Sequence, residues 1–526
     1  MFPKIDFRLD RLMAAGQQHL LRHGRKGLEK ESLRLSAEGL IATTPHPVAL
    51  GSALTHPYIT TDYSEALPEL ITPPFADPAE TLAFLDDLHR FVYARLPDDE
   101  CLLATSMPVG IEGDETIPIA RYGTSNIGRM KHVYRKGLAY RYGRTMQAIA
   151  GVHFNYSVNE ALWPVLAEIL GHREPQQAFI ASAYFDMIRN VHRHGWLVIY
   201  LFGMSPAVDR RFFTGRENLT TRFQAFDQET LYRPCATSLR MSDIGYRIDS
   251  QPTLDISFDS LDEYVAGLTR AISIPHPAYQ RAADHQADDY RQLNANLLQI
   301  ENEYYSGIRP KQVVKSGEKP TLALKKRGVQ YVELRSLDLC CTSPGAVKLE
   351  QLYFLEVFLL FCLLAESPAM SRDERAETDA NTLQTACCGR EPLARLKRQG
   401  QSVLLREWGE NILEQMQAVA DVLDADNPAR PYRLSVDSQR PLLTHPELTP
   451  SSLMLAEMRR NGESFRDYAL RVSRQHAAHF RSHELDAGRF DLFRQEVDTS
   501  LREQQAIEVS DTLSFAAFLE AYFAQT

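Results

Sequence analysis

Two glutamates separated by one residue, Glu29 and Glu31, occur in residues 27–35, where polar and apolar positions alternate. In a β-strand, alternate side chains point to the same face, so Glu29, Glu31, Leu33 and Leu35 would share one face. A carboxylate among leucines on a core-facing side is costly unless a metal ion or a cationic group accompanies it. A charged, solvent-facing edge is the simpler explanation of this pair taken alone.

A second acidic segment covers residues 62–71, where Pro68 argues against a helix. As a strand, it would put Glu65 and Glu69 in line with Leu67 and Ile71 on one face. Asp62 would lie just outside, at a turn.

Two more alternating segments carry polar residues on one face. Residues 329–337 would place Glu333 and Arg335 in line with apolar side chains, and a simple ion pair between these two charges is the alternative explanation. Residues 151–158 alternate between an apolar face and a polar face formed by His153, Asn155 and Ser157. That polar face could be a wet surface, or it could be the floor of a polar site in which His153 binds a metal.

Together, at least three candidate strands place carboxylates on a face that otherwise looks buried. Magnesium and manganese ions prefer oxygen ligands and often bridge protein carboxylates to phosphates. The pattern therefore indicates nucleotide chemistry on a sheet surface. The sequence has no phosphate-binding G-x-x-x-x-G-K-[ST] loop, no G-x-G-x-x-G and no H-E-x-x-H motif, so this chemistry would not use a glycine-rich loop.

Basic residues cluster in two segments that could bind anions. One group lies within residues 123–143, and the other runs from residues 309–311 to residues 325–327. A solvated basic helix and a charged turn explain these groups equally well. The first group consists of Arg129, Lys131, Arg135, Lys136 and Arg141.

The chain has 526 residues and a formal net charge of −10, which argues against sequence-independent binding of nucleic acid. Its seven cysteines form no C-x-x-C pair and suggest free thiols in a reducing compartment. The first ten residues lack a signal-peptide core, and the longest apolar run, residues 357–365, is too short to span a bilayer. We therefore expect a cytoplasmic protein that needs no membrane and no obligatory protein partner.

Strand-like and helical segments alternate irregularly, which favours an α+β fold with a mostly antiparallel sheet. From about residue 343 onward helical patterns dominate. A proline-containing stretch at residues 427–450 is predicted to be a long loop. We expect a catalytic region at residues 1–375 and a helical region at residues 376–526 that packs on it and forms no independent domain.

Several motifs resemble those of glutamate–cysteine ligases of the proteobacterial type. The resemblance covers nearly the whole chain but is only loose after about residue 345. It rests on residues 27–34 (GLEKESLR), 51–56 (GSALTH), 61–62 (TD), 123–126 (GTSN), 151–155 (GVHFN), 236–246 (ATSLRMSDIGY), 298–303 (LQIENE), 308–311 (IRPK) and 333–338 (ELRSLD).

This resemblance implies a curved sheet that forms a funnel like that of glutamine synthetase, flanked by helices and holding two or three Mg²⁺ ions, for which Mn²⁺ could substitute. The metal ligands implied are Glu29, Glu31, Asp62, Glu69, His153 and Glu333. Arg335 would contact the transferred phosphoryl group, so Arg335 and Glu333 are the implied catalytic residues. Tyr134, Arg240, Tyr246 and Tyr305 would form the pocket for the acceptor amino acid. Arg240 also has a physical reason of its own, because a guanidinium suits a carboxylate.

The reaction implied is the joining of the γ-carboxylate of L-glutamate to the amino group of L-cysteine. ATP is the implied co-substrate, γ-glutamyl phosphate the intermediate, and the product enters glutathione biosynthesis. This route needs no protein nucleophile, so we expect no catalytic cysteine. The alternatives are a related ligase with a different acceptor amine, a nucleotide-binding regulator without turnover, and a metallohydrolase.

Overall fold

The structure is a computed structural model, and it describes residues 6–245, 254, 256–280 and 289–525. The strands in these ranges are short and lie in four sheets. In chain order they are β1 Arg25–Glu31, β2 Arg34–Leu35, β3 Ile59–Thr61, β4 Pro68–Ile71, β5 Cys101–Leu102, β6 Val152–Ser157, β7 Ala207–Asp209, β8 Gln224–Ala225, β9 Thr230–Tyr232, β10 Ile308–Lys311, β11 Tyr331–Leu337, β12 Arg395–Arg398 and β13 Gln401–Leu404.

The α-helices surround the largest sheet and continue to the C-terminal end of the described chain. They are α1 Asp6–Ala14, α2 Pro78–Tyr93, α3 Asn126–Tyr142, α4 Arg144–Gln147, α5 Leu162–Ile169, α6 Gln176–His194, α7 Trp196–Phe202, α8 Leu261–Ala271, α9 Pro277–Gln280, α10 Pro320–Arg327, α11 Leu349–Leu364, α12 Arg372–Cys388, α13 Leu405–Leu423, α14 Pro431–Asp437, α15 Arg440–Thr444, α16 Pro450–Asn461, α17 Phe465–Arg481, α18 Ala487–Ser510 and α19 Phe515–Phe523.

The last third of the chain is mainly helical, as its composition predicted. The long loop predicted at residues 427–450 is wrong, because α14 and α15 lie within it. Both helices have a proline in their first turn, Pro431 and Pro441. The backbone N–H groups of the first helical turn have no partner within the helix, so a proline there loses no helical hydrogen bond. A proline can therefore mark the start of a helix as well as its end.

The main sheet has the strand order β10-β11-β6-β1-β4-β3, and every neighbouring pair is antiparallel. This confirms the mixed helical and antiparallel class. Glu29 on β1 lies directly opposite His153 on β6, and Glu31 lies opposite Glu69 on β4. Because directly opposite residues in an antiparallel pair point to the same face, these four side chains meet on one side of the sheet.

The other face of the sheet is packed against helices. Leu28 of β1 and Phe154 and Tyr156 of β6 are fully buried there, and α2, α6 and α7 contact the strands. Helix α11 is apolar around nearly its whole circumference and packs between α6, α2 and α13, as expected of a helix buried on all sides. Within the described ranges, no helix is long and apolar enough to cross a membrane.

Two of the predicted strands are shorter than their alternation suggested. β1 ends at Glu31, and Leu35 belongs to the separate strand β2, so the prediction that Leu33 and Leu35 share a face with Glu29 is wrong. β4 begins only at Pro68, which leaves Glu65 and Leu67 in the preceding turn.

The Glu65 carboxylate has a local role in that turn. It accepts hydrogen bonds from the backbone N–H groups of His46, at 2.5 Å, and Arg121, at 2.6 Å. In β11, an irregularity between Leu334 and Leu337 brings Leu337 opposite the core residue Val152, so Leu337 does not share the face of Glu333 as the alternation predicted.

A buried ion pair joins β1 to the helices behind the sheet. Lys26 Nζ lies 2.7 Å from Glu356 Oε1 of α11, and both side chains are 1% exposed. Lys26 also donates to the carbonyl of Ala76 at 2.6 Å, and Tyr432 of α14 donates to Glu356 Oε2 at 2.7 Å. Each charge therefore has several partners, which buried ions need in order to be tolerated.

We expect Glu356→Gln to destabilise the protein by about 3 kcal/mol, because it leaves the Lys26 ammonium buried without its counter-charge. Tyr432→Phe removes one hydrogen bond and should cost about 1 kcal/mol. The control is Glu410→Gln in the exposed pair Arg406–Glu410 of α13, whose effect should stay within about 0.5 kcal/mol. Thermal unfolding midpoints of the three variants test this order, and equal midpoints would contradict it.

Candidate metal and nucleotide site

The imidazole of His153 lies at the centre of the acidic face of the sheet. His153 Nδ1 is 3.1 Å from Glu29 Oε2 and 3.8 Å from Glu333 Oε1. The other ring nitrogen, Nε2, is 3.6 Å from Glu31 Oε1. The cross-strand pairs of β1, β4, β6 and β11 produce this convergence, since Glu29 faces His153, Glu31 faces Glu69, and Glu333 faces Asn155.

Two overlapping sets of three side chains have the spacing of metal ligands. They are Glu29, His153 and Glu333, and Glu31, Glu69 and His153. Within each set, one ligand atom of every residue lies within 4.8 Å of the others. Carboxylate oxygens with one imidazole suit Mg²⁺ or Mn²⁺.

Burial and the neighbouring carboxylates both raise the pKa values of Glu31 and Glu69, whereas nearby cationic groups lower them. Burial, followed by the charges of Glu29, Asp62 and Glu31, raises the pKa of Glu69 well above its ordinary value. Burial also raises the pKa of Glu31, and His153 only partly offsets this. Several carboxyl groups are therefore buried close together, and the negative charge of each makes ionisation of the others less favourable. A bound cation would reduce this repulsion.

Cations from β10 and β11 accompany Glu333. Lys311 Nζ lies 3.0 Å from Glu333 Oε1, and Arg335 Nη1 lies 3.1 Å from Glu333 Oε2. Burial opposes ionisation of Glu333, but Lys311 and Arg335 hold its pKa well below the ordinary value. The ion pair between Glu333 and Arg335 that the sequence left open is therefore present, beside a histidine and further carboxylates.

Asp62 lies beside the cluster rather than within its tightest part. It follows β3, and its backbone carbonyl accepts hydrogen bonds from Tyr122 Oη, at 2.9 Å, and from Arg135 Nε. Its charge contributes to the raised pKa values of Glu31 and Glu69. It is not a member of either three-residue set.

The predicted acceptor pocket is brought together in part. Arg240 is buried and donates from Nη2 to the backbone carbonyl of Arg335 at 2.9 Å. Arg240 Nη1 and Tyr305 Oη both reach the sulfur of Met241, at 3.4 and 3.2 Å. Tyr134 lies on α3 instead, where burial raises its pKa. Tyr246 lies outside the described residues.

Gly151 makes room for Arg240, a role that the sequence analysis missed. A Cβ atom at Gly151 would lie 2.1 Å from Arg240 Nη2, so a larger residue would displace the guanidinium. The N–H of Gly151 also donates to Glu31 Oε2 at 2.8 Å. The glycine at the start of the 151–155 motif was the available signal.

Asn155 and Lys311 are two further site residues that the sequence analysis did not assign. Asn155 Nδ2 donates to Glu29 Oε1 at 2.8 Å and thereby orients the carboxylate. The alternation of β6 already placed Asn155 on the face of His153. Lys311 gave a weaker signal, since only the pairing of β10 with β11 brings it to Glu333.

The basic residues of α3 contact different partners, and two of them, Lys136 and Arg141, form ion pairs. Arg141 Nη1 lies 2.9 Å from Glu303 Oε1, with both side chains fully buried, and Lys136 pairs with Asp289 at 2.8 Å. Arg135 lies over the ring of Tyr122. Burial lowers the pKa of Lys131 to about 8. The alternative of a freely solvated basic helix is therefore wrong for Arg141.

A cavity of about 1140 Å³ adjoins the acidic cluster. The sheet forms its floor through Gly27, Glu29, Asn155 and Tyr331. Its rim includes Gln312, Val313 and Arg327, from the two ends of the second basic segment. The volume is sufficient for a nucleotide, and the acidic cluster lies at one side of it.

Comparisons with known proteins identify the family of the chain. A family model described as glutamate–cysteine ligase matches residues 9–385. The chain is 48% identical to the glutamate–cysteine ligase of Azotobacter vinelandii over 519 residues, which covers 98% of this chain and 97% of that protein. The chain belongs to the glutamate–cysteine ligase family.

Two other family members also match over nearly the whole chain. The glutamate–cysteine ligase of Pseudomonas paraeruginosa is 46% identical over 515 residues, covering 98% of this chain and 97% of that one. The crystal structure of the Francisella tularensis glutamate–cysteine ligase in complex with AMP matches with a TM-score of 0.89 at 34% identity, covering 95% of this chain and 98% of that chain. The resemblance inferred from motifs is confirmed, and it extends well past residue 345.

We expect Mg²⁺ or Mn²⁺ to raise the thermal unfolding midpoint, and Glu31→Gln to reduce that increase. The neutral amide can still accept the Gly151 N–H but offers the cation less charge, so we expect affinity to fall roughly tenfold or more. The metal-free midpoint should not fall, because the substitution removes a repelling carboxylate. Calorimetric titration checks the affinity, with the exposed Glu366→Gln as control. Equal cation affinity in both variants would reject Glu31 as a ligand.

Proposed function

We propose that this protein catalyses the ATP- and Mg²⁺-dependent joining of the γ-carboxylate of L-glutamate to the amino group of L-cysteine. The products would be γ-glutamylcysteine, ADP and phosphate, and the step would be the first of glutathione biosynthesis. The observation that carries the proposal is the pair of ligand sets sharing His153, flanked by Lys311 and Arg335 at the edge of a cavity of nucleotide size.

The donor set fits Mg²⁺ or Mn²⁺, since several carboxylates in mutual repulsion surround one imidazole. The proposed ligands are Glu29, Glu31, Glu69, His153 and Glu333, with Asp62 beside them. When bound, the ions would neutralise negative charge on the phosphate oxygens of the nucleotide. The sheet residues hold these ligands in place through the cross-strand pairs of β1, β4, β6 and β11.

For the nucleotide we propose the cavity lined by Gly27, Glu29, Asn155 and Tyr331. The Francisella tularensis relative was crystallised with AMP, which supports an adenine nucleotide as a ligand. Asn155 would keep the Glu29 carboxylate turned toward the phosphates through its 2.8 Å hydrogen bond. Gln312 and Arg327 at the rim would limit the access of water.

In the proposed reaction the γ-carboxylate of glutamate attacks the γ-phosphate of ATP, which forms γ-glutamyl phosphate and releases ADP. The neutral cysteine amine then attacks the γ-carbonyl carbon, forms the amide bond, displaces phosphate and gives up one proton to solvent. Arg335, held by Glu333, would donate hydrogen bonds to the transferred phosphoryl group as charge develops on it. Arg240, which Gly151 leaves room for, would hold a substrate carboxylate, with Tyr134, Tyr246 and Tyr305 completing the acceptor pocket.

Two proposals concern the architecture around the site. The antiparallel sheet would form the curved funnel known from glutamine synthetase, with the acidic cluster inside. Residues 1–375 would form the catalytic region, and residues 376–526 would pack on it without forming an independent domain. The hydrogen bond from Tyr432 to Glu356 and the packing of α17 on α2 support the second proposal.

The decisive measurement is Mg²⁺-dependent ADP release with and without each amino acid. We expect cysteine to stimulate it more than serine, alanine or glycine. Preference for another amine would indicate a related ligase, and ATP binding without any ADP would indicate a regulator. Metal-dependent hydrolysis of a substrate without any requirement for ATP would indicate a metallohydrolase.

We expect Glu333→Gln and Arg335→Met each to lower kcat by about 10²- to 10³-fold, the effect of removing one group that stabilises transition-state charge. Both variants should also have lower unfolding midpoints, because they break the buried ion pair between Glu333 and Arg335, so turnover is measured below those midpoints. Glu366→Gln should retain wild-type turnover. Near-normal rates of either variant at saturating Mg²⁺ would reject the assigned role.

We expect a Cys235→Ser, Cys387→Ser, Cys388→Ser triple variant to retain turnover. These are the half-buried cysteines, and the other four are buried. Burial raises the pKa of Cys388 to about 11 and also raises those of Cys235 and Cys387, so little thiolate is present at neutral pH. A triple variant that folds, as judged by its unfolding midpoint, but makes no product would contradict a mechanism without a protein nucleophile.

A further inference from the structure

The C-terminal helix α19 contributes to a small hydrophobic cluster that is separate from the main core. The buried members of this cluster come from α3, from residues 293–300 and from α19. They are Met130, Val133, Leu293, Ile300, Phe515, Leu519 and Tyr522. Tyr134, the acceptor-pocket residue of α3, packs against the edge of the same cluster. Helix α19 therefore supports the helix that carries Tyr134.

The segment that leads into α19 is hydrogen-bonded to the start of α3. The Asp511 carboxylate accepts from the backbone N–H of Asn126, and the carbonyl of Leu513 accepts from Asn126 Nδ2 at 3.0 Å. One turn earlier, Glu508 Oε1 accepts from the N–H of Thr124 at 2.7 Å. Carboxylates at this end of α3 are favourable, because the first N–H groups of a helix lack internal partners.

The other end of the same segment, residues 523–525, is hydrogen-bonded to Lys319 beside the cavity rim. Lys319 Nζ donates to the carbonyls of Phe523, at 2.8 Å, and Gln525, at 3.1 Å. Gln525 also accepts from the N–H of Lys319 at 3.1 Å and donates to the carbonyl of Gly317 at 2.7 Å. Lys319 ends the loop of residues 312–319, and the first two residues of this loop form part of the cavity rim.

Both anchored parts contact the acidic cluster or its immediate neighbours. On the α3 side, Arg135 donates to the backbone carbonyl of Asp62. On the loop side, the residue before the loop is Lys311, whose ammonium lies 3.0 Å from Glu333. The segment thus links two walls of the site, α3 and residues 312–319, which are distant from each other in the sequence.

We propose that residues 511–525, the C-terminal clasp, are a positioning element for substrate binding. One end of the clasp fixes α3 and with it Tyr134 on the acceptor side, and the other end fixes residues 312–319 on the nucleotide side. The clasp lies outside residues 9–385, the part matched by the family model. This inference rests on the proposed function, because it assigns the two walls to cysteine and to ATP.

The two ends of the clasp can be tested separately in the full-length protein. Lys319→Met removes both hydrogen bonds to the carbonyls and the ammonium that lies near the rings of Tyr522 and Phe523, and it keeps an unbranched apolar side chain. We expect it to raise the KM for ATP about fivefold, with KM for cysteine and kcat nearly unchanged. This is less than the loss of two hydrogen bonds would give, because neither bond is made to the nucleotide itself. Lys319→Arg should restore most of the loss.

Asp511→Ala addresses the other end, since it leaves the N–H of Asn126 without its acceptor. Here the KM for cysteine should rise by a similar factor, about fivefold, with the KM for ATP nearly unchanged. Asp511→Asn should restore most of it, because the amide oxygen can still accept. The control is Lys397→Met on the exposed hairpin strand β12, which should change neither constant.

The opposite selectivity of the two variants separates positioning from simple stabilisation. If both KM values rise together in both variants, or if only the unfolding midpoint falls, the clasp is structural and the inference is overturned. Unchanged KM values in both variants overturn it as well. If the wild-type protein releases no ADP with glutamate and cysteine, the proposed function itself fails, and this is visible before any variant is made.

Discussion

Electrostatic repulsion among buried carboxylates is the constraint on which the rest of the site depends. Glu29, Glu31, Glu69 and Glu333 come from three strands and meet around His153, where burial alone would drive several of them to take up protons. The sheet can hold them so close only because antiparallel pairing fixes each backbone position. Lys311 and Arg335 compensate Glu333, but the pKa values of Glu31 and Glu69 stay raised, and this remaining deficit of positive charge is what a divalent cation would fill.

The same strand carries charge on both of its faces. While Glu29 and Glu31 face the site, Lys26 and Lys30 point into the packed side, where Lys26 pairs with Glu356 of α11. Burial lowers the pKa of Lys30 to about 7. If β1 shifted its register by one residue, its lysines would face the site and its glutamates would face the packed side of the sheet. The charges on both faces therefore disfavour such a shift. The buried pair behind the sheet thus helps to define where the carboxylates in front of it lie.

Local periodicity explains what the sequence could predict. Alternation of period two correctly put His153 with Asn155 in the regular strand β6. It also put Glu333 with Arg335, and these two side chains are in contact although Arg335 lies within the irregularity of β11. It failed at strand ends and at the irregularity near Leu337, since these depend on which neighbour each strand pairs with. The contacts of Lys311 with Glu333, of Gly151 with Arg240 and of Lys319 with Gln525 join residues that no local pattern connects.

The shared histidine limits how two cations could be held. Nδ1 of His153 faces Glu29 and Glu333, whereas Nε2 faces Glu31. A neutral imidazole has a lone pair on one nitrogen only, so it can serve as ligand in one of the two sets at a time. The other set would then offer carboxylates alone, and a cation there would need further oxygen ligands from outside the protein. Phosphate oxygens of a nucleotide would meet that need, and occupation of the second position would then depend on the nucleotide.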